Sequence, residues 1–452
     1  MKDLKRDSID FASTGIGPLF RSIFIPTLLS LVFTSLLTVA DGIFVGQGVG
    51  SDALAAINIV APLFLVTTGM AMMFGVGVSV VANIHLAQGN AKAADINVTQ
   101  ALIVTPVLMA VLMVIVYFLR VPFLRLLGSS DLLLPYALDY LVPLLPGCVF
   151  ILIQNVGSFV IRLDGNPNYA SMVGIVPGIL NVAMDWAFVF PMKMGIAGSS
   201  LATTICCAIA AFMVYMYMGR RSVNVHLYRL KMSATSLYLT MRNMFFMARS
   251  GFSSLLGELA MAVLMLTGNY VFIMALGEDG VAAFSVACYL YPIVFMVNSA
   301  VAQSAQPIIS YNHGAHLDGR VNEAYRLSIR AALLCGLLCM AILMVGACPL
   351  ISLFLDKGTP AYGYAVGGLP VFACSAVFFA LNIDIIGYHQ AVEDNRRASV
   401  YMLLRGLVFL VPAFLLLPKL LPSFEMWCAV PVTEALTLAV ILLTRKAGAA
   451  VK

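Results

Sequence analysis

Three aspartates, Asp41, Asp185 and Asp384, and one glutamate, Glu258, stand inside runs of apolar residues. A carboxylate is costly in a segment that spans a bilayer, so it is rare there unless it handles an ion, a proton or a charged substrate. Asp41 lies in Thr38-Val39-Ala40-Asp41-Gly42-Ile43-Phe44-Val45, and the apolar run continues past it. Asn181 and Asp185 are spaced i,i+4 and share one helix face. Thr203 and Thr204 add hydroxyls on the next apolar segment. Asp41, Asn181, Asp185 and Thr203 offer only oxygen donors, which suits a hard cation such as Na⁺ or a proton held by one of two close carboxylates. From the residues alone, the alternative is that Asp41 and Asp185 are hydrated groups near the outer interface that cap loops.

The second half of the chain has its own acids. Glu258 lies in Leu255-Leu256-Gly257-Glu258-Leu259-Ala260-Met261, and Asp384 in Leu381-Asn382-Ile383-Asp384-Ile385-Ile386. No basic residue lies within a helical turn of either, so both are expected to face a cavity. The other reading is a buried acid bonded to a helix hydroxyl. Glu434 is a weaker instance. Arg249 and Arg405 read as residues near cytoplasmic helix ends whose charge snorkels to the interface. The five histidines read as polar residues at helix ends and loops.

The elements that must position these groups are apolar helices. The chain of 452 residues is 61% hydrophobic and 10% charged, with a mean hydropathy of +0.97. A soluble domain is nearer about 25% charged. A spanning helix needs roughly 20 apolar residues. Twelve stretches qualify, at about 18–45, 53–83, 96–119, 132–157, 168–190, 196–219, 243–276, 281–304, 325–350, 360–388, 398–417 and 424–444. This predicts an all-α integral membrane protein with almost nothing left for a soluble domain. The first stretch is too long for a cleaved signal peptide and reads as a retained anchor.

Counting loops from an inside N-terminus puts seventeen Lys and Arg residues inside and five outside. The positive-inside rule therefore predicts cytoplasmic termini. The basic 219–242 stretch is better suited to anionic lipid heads than to nucleic acid. The nine cysteines lie in or near apolar spans without metal spacing and read as packing. No GxxxxGK[ST], zinc motif or nucleophile elbow is present, so no enzyme activity, ATP hydrolysis or cofactor is expected.

The chain reads as two halves: an amino-terminal lobe 1–219 with six spans, a cytoplasmic linker 220–242, and a carboxy-terminal lobe 243–452 with six more. Gly50-Ser51-Asp52-Ala53-Leu54-Ala55-Ala56 resembles Gly277-Glu278-Asp279-Gly280-Val281-Ala282-Ala283. Asn168-Tyr169-Ala170-Ser171 resembles Arg396-Arg397-Ala398-Ser399. A repeat of six spans keeps the same orientation, which predicts a pseudo-two-fold axis along the membrane normal and a site near the midplane. Prolines recur inside the spans and favour kinks. Pro26 stands out because it shares a helix with Asp41.

These residues resemble the multidrug and toxic compound extrusion (MATE) family, and its bacterial MepA-like branch in particular. The resemblance rests on Asp41-Gly42-Ile43-Phe44-Val45-Gly46, on Gln306-Pro307-Ile308-Ile309-Ser310-Tyr311-Asn312-His313-Gly314, on Asn181 with Asp185, and on Glu258. It covers essentially the whole chain. It implies two six-helix lobes, and export of amphipathic or cationic organic compounds in exchange for H⁺ or Na⁺. It places the chain in a bacterial inner membrane, as a monomer contacting lipids and small-molecule drugs. By the resemblance, Asp41, Asn181, Asp185 and Thr203 form the cation or proton site, and Pro26 is a hinge. Glu258 and Asp384 match the carboxy-lobe acids of the NorM-like branch. That branch has a tyrosine one turn before the second acid; here Ala380 stands there, so the amino lobe is favoured for coupling. A lipid-linked oligosaccharide flippase of the same superfamily is the rival reading. A major-facilitator transporter would carry a basic loop after helix two, but residues 84–95 hold only Lys92.

Overall fold

The computed structural model describes residues 11, 13–48, 51–230, 233–420 and 425–450; the side chains of 36–48, 51–55, 420, 425 and 445–450 fall outside that description. The described residues form helices joined by turns and by one longer connection after α7, with no strand among them. In order, the α-helices are α1 Ile16–Gly48, α2 Ser51–Ala87, α3 Ala91–Phe118, α4 Arg120–Leu126, α5 Leu134–Leu163, α6 Pro167–Val189, α7 Gly195–Arg220, α8 Ala234–Gly314, α9 Asp318–Val345, α10 Ala347–Ile351, α11 Pro360–Ala373, α12 Ser375–Ala391, α13 Asn395–Leu403, α14 Leu410–Leu420 and α15 Ala429–Ala450.

Local sequence explains where several of these begin. Asn90, Asn166, Ser233, Thr359 and Asp394 each accept a hydrogen bond from a backbone N–H of the first turn, which satisfies a donor the helix leaves orphaned. Pro167 and Pro360 occupy the first helical position, where a missing N–H costs nothing.

Helix α8 is 81 residues long, far more than a bilayer needs. It breaks at Gly277, whose φ of +68° and ψ of −154° lie outside helical space. A side chain at that φ is strained, so glycine suits the break. Eleven described stretches are long and apolar enough to cross a membrane, and one of them is this broken α8. The break makes twelve, and the predicted all-helical membrane fold holds.

The chain divides into two compact units, 1–255 with 310–320, and 256–309 with 321–452. In the first, α5 is the axis. It packs against α2, α3 and α7, while α6 packs against α1 and α7. Leu141, Leu144, Leu152 and Val160 of α5 meet Val78 of α2, Leu102 of α3 and Val214 of α7 in one buried cluster. Lipid tails are as apolar as leucine, so close contact and polar links hold such helices together. Gly77 and Gly251 illustrate this. A Cβ at Gly77 would overlap the Met247 carbonyl, and one at Gly251 would overlap the Met73 carbonyl.

Two prolines bend the logic of α5. Ser200 Oγ of α7 donates to the Tyr140 carbonyl, and Thr204 Oγ1 donates to the Pro143 carbonyl, both at 2.6 Å. These carbonyls lie three residues before Pro143 and Pro146. Neighbouring hydroxyls thus supply hydrogen bonds where proline disturbs the helix ladder.

The segment after α7 is tied down rather than loose. Asp164, 1% exposed at the end of α5, accepts from Tyr217 Oη at 2.6 Å and from the backbone N–H groups of Val223, Asn224 and Val225. Asp95 and Thr99 of α3 accept from the N–H groups of His226 and Tyr228. Residues 234–242 of the predicted linker are already helical in α8. The Tyr311-Asn312 part of the C-terminal α8 motif has an anchoring role. Tyr311 stacks on Phe11 at 5.7 Å, and Arg320 donates to Asn312 and to the carbonyls of Phe11 and Thr14.

In the second unit, α12 packs on α13 and α15. Phe272 and Phe284 stack at 4.5 Å, with Trp427 edge-on to Phe272 at 4.9 Å. Of the described spans, α5 and the α11–α12 pair are the most deeply buried, so the fourth and tenth spans are the central helices of their units.

Candidate functional site

The first unit holds the oxygen-donor set. Asp185 on α6 is fully buried and lies within electrostatic reach of the Cys206 thiol on α7. One turn earlier on the same face, Asn181 Nδ2 donates to Thr203 Oγ1 of α7 at 3.4 Å. An interhelical bond of this kind contributes on the order of 0.6 kcal/mol in a membrane protein. It therefore orients the two groups more than it stabilises the fold. With Asn181 Nδ2 turned to Thr203, the Asn181 Oδ1 remains an acceptor. Asn181 and Thr203 are half-buried, so the set is a partly accessible polar patch beside a buried carboxylate.

Asp41 lies in α1, and its side chain falls outside the described residues. The backbone still gives its level. Ser30 Oγ of α1 donates to the Ser171 carbonyl of α6 at 3.4 Å, and α1 and α6 pack extensively. Both helices run in the same predicted direction. At about 1.5 Å per residue, Asp41 lies roughly 16 Å beyond Ser30, while Asn181 and Asp185 lie roughly 15 and 21 Å beyond Ser171. The three positions share one level of adjacent helices. Pro26 is half-buried within α1, and the helix continues through it.

The second unit holds two polar clusters, and only one of them was visible in the sequence. Asp384 of α12 is 2% exposed and accepts from Ser328 Oγ of α9 at 2.8 Å. This is the arrangement of a buried acid bonded to a helix hydroxyl. Glu258 of α8 is 7% exposed, and the adjoining Gly257 faces the Met402 thioether.

The other cluster centres on Arg405. Its Nε lies 2.7 Å from Glu434 Oε1. Its Nη2 donates to Tyr291 Oη at 3.0 Å, and its guanidinium lies 4.3 Å from the Phe379 ring centroid. Asn382 Nδ2 donates to Glu434 Oε2 at 2.8 Å and to the Glu434 carbonyl at 2.9 Å. Arg405 is 5% and Glu434 2% exposed. The expectation that Arg405 snorkels to the interface is therefore corrected: it is buried and paired. It sits in a five-residue π-helical turn, Leu404–Val408, a distortion frequent at functional positions. A depth count would have exposed this. Arg405 lies roughly 15 Å along its span from Asn395, about the half-thickness of the hydrocarbon core.

Among the described residues, no group of three or more His, Cys, Asp or Glu could hold a metal ion. Any cation at Asn181, Asp185 and Thr203 would rely on amide and hydroxyl oxygens beside one described carboxylate. That fits a weakly held monovalent ion or a proton better than a resident divalent metal.

Comparison with known proteins adds the family. The MatE family model matches this chain twice, at residues 26–187 and 253–415. The FAD transporter of Shewanella oneidensis is 26% identical over 357 residues, covering 77% of this chain and 76% of that protein. The multidrug export protein MepA of Staphylococcus saprophyticus is 22% identical over 391 residues, covering 85% of each. A solved outward-facing structure of a multidrug resistance MATE family transporter of the MOP superfamily superimposes with a TM-score of 0.89 at 21% identity, covering 100% of this chain and 99% of that one. With the model matched over most of the chain, and with twelve apolar helices in the fold, this multi-pass membrane protein belongs to the MatE family.

Proposed function

We propose that this chain is a secondary antiporter that exports amphipathic organic cations from the cytoplasm in exchange for H⁺ or Na⁺. The observation that carries this is the Asn181–Thr203 hydrogen bond beside the fully buried Asp185, on a helix whose neighbour brings Asp41 to the same level. Ion or proton binding neutralises a buried carboxylate whose charge is otherwise costly in the membrane. Substrate and ion then compete for the charged form of the site. Each displaces the other as access alternates, and coupling follows from that exclusion.

The MepA relative supports a broad drug range, and the prediction of a bacterial inner-membrane location with cytoplasmic termini belongs to the same reading. The FAD transporter relative supports a second reading, in which the cargo is an anionic flavin nucleotide.

Proteoliposome efflux separates these. A fluorescent organic cation and FAD are loaded in turn, and Na⁺ and pH gradients are imposed separately. The proposal expects cation efflux under one gradient and its loss in Asp41→Asn and Asp185→Asn. Efflux of FAD alone would establish the second reading. Full cation efflux by both variants would remove the acids from the mechanism.

A further inference from the structure

The two halves differ at one corresponding place. Helix α6 and helix α13 begin alike. Each has a left-handed residue, Gly165 with φ +88° or Glu393 with φ +61°. Each then has a capping side chain, Asn166 or Asp394, that accepts the N–H three residues on. In the first half, Asp164 holds the backbone of residues 223–225 over this corner, and Tyr169 carries the Arg221 guanidinium at 5.5 Å. In the second half, Val392 replaces Asp164 and offers no side-chain acceptor, while Arg396 and Arg397 replace Asn168 and Tyr169.

The second-half corner is a cavity of about 600 Å³ lined by Asp394, Arg396, Arg397, Val400, Tyr401 and Thr444. Tyr401 Oη and Thr444 Oγ1 share a hydrogen bond of 2.7 Å. Arg397 is partly neutralised by Asp394 at 3.3 Å, which His389 also contacts at 3.3 Å. Arg396 is exposed and has no ion-pair partner among the described residues. Val400 lines this cavity, and further along the same span Leu403 and Leu407 are, like it, exposed apolar residues, at 44%, 39% and 48% for Val400, Leu403 and Leu407. The charge count puts this corner on the cytoplasmic side.

We propose that Arg396 and Arg397, with the Tyr401 and Thr444 hydroxyls, bind the phosphodiester headgroup of an anionic phospholipid whose acyl chains lie along Val400, Leu403 and Leu407. Basic pockets between spans on the cytoplasmic side suit such headgroups. A free phosphate ion would use the same arginines but would gain nothing from these exposed apolar residues, and that distinguishes the two sources.

The full-length protein in detergent, followed by native mass spectrometry, tests this with cardiolipin, phosphatidylglycerol and phosphatidylcholine as probes. Inorganic phosphate serves as competitor. Cardiolipin and phosphatidylglycerol should bind the wild type in preference to phosphatidylcholine. The paired variant Arg396→Gln with Arg397→Gln should weaken anionic lipid binding by roughly thirtyfold. The control pair Arg220→Gln with Arg221→Gln should change it less than twofold. Equal loss in both pairs would reduce the effect to general charge attraction and overturn the site. Displacement of lipid by millimolar inorganic phosphate would overturn the lipid as its occupant. If the arginine pair does not fold, Tyr401→Phe with Thr444→Val carries the test, and undiminished anionic lipid binding in that variant overturns the proposal.

Discussion

Arg405 and Glu434 lie 29 residues apart and meet at 2.7 Å inside the second unit, with both side chains almost fully buried. The guanidinium gives Glu434 a permanent tethered counter-charge. Asn382 and Tyr291 complete the hydrogen bonding. A carboxylate so occupied is poorly placed to exchange a mobile ion.

Breaking this pair from one side should cost more than removing it altogether. Arg405→Met or Glu434→Gln alone should each destabilise by about 3–5 kcal/mol, since each leaves buried polar groups uncompensated. The double variant should fall well short of the sum. Thermal unfolding of the four proteins in detergent measures this as a double-mutant cycle. Additive losses would mean that the two groups do not depend on each other.

Thr203 and Asn181 should act through oxygen placement. Thr203→Ser keeps a hydroxyl within reach of Asn181 and should retain efflux within about twofold. Thr203→Val removes it and should weaken the apparent affinity for the coupling ion by about tenfold, the equivalent of roughly 1.4 kcal/mol. The ion dependence of proteoliposome efflux reads both variants.

Asp384 is expected to be structural. Its carboxylate accepts from Ser328 Oγ at 2.8 Å, and an asparagine oxygen can accept the same bond. Asp384→Asn should therefore transport within about twofold of the parent, in contrast to Asp41→Asn. Transport lost to the same extent in both would assign Asp384 to coupling.

Asp164 should hold the chain after α7. Asp164→Ala leaves the N–H groups of Val223, Asn224 and Val225 without their acceptor; Val225 is the buried one of the three, and an orphaned buried group costs about 1–3 kcal/mol. Limited trypsin digestion should then cut after Arg221 or Arg229 at least about tenfold faster, because cleavage follows the population of the open form. An unchanged digestion rate would show that the Asp95 and Thr99 contacts suffice without it.

The sequence by itself determined the spans and the acids within them. Hydropathy and length are local properties, and a bilayer demands about 20 apolar residues wherever the chain crosses. An acid inside such a run is visible without any partner. Asn181 and Asp185 could be set on one face by helical spacing alone. The break at Gly277 falls where the sequence repeat begins a new span, at the segment that resembles Gly50-Ser51-Asp52-Ala53. Tertiary structure decided which polar groups meet. Glu434 finds Arg405 across 29 residues, Asp384 finds Ser328 across 56, and Asp164 finds Val223 across 59. These pairings depend on which helix faces cross and at what register, and no periodicity in one segment carries that information. The same reason hid the role of Arg405. Its residue type and position suggested an interface group, while a π-helical turn and three neighbouring helices gave it partners in the interior.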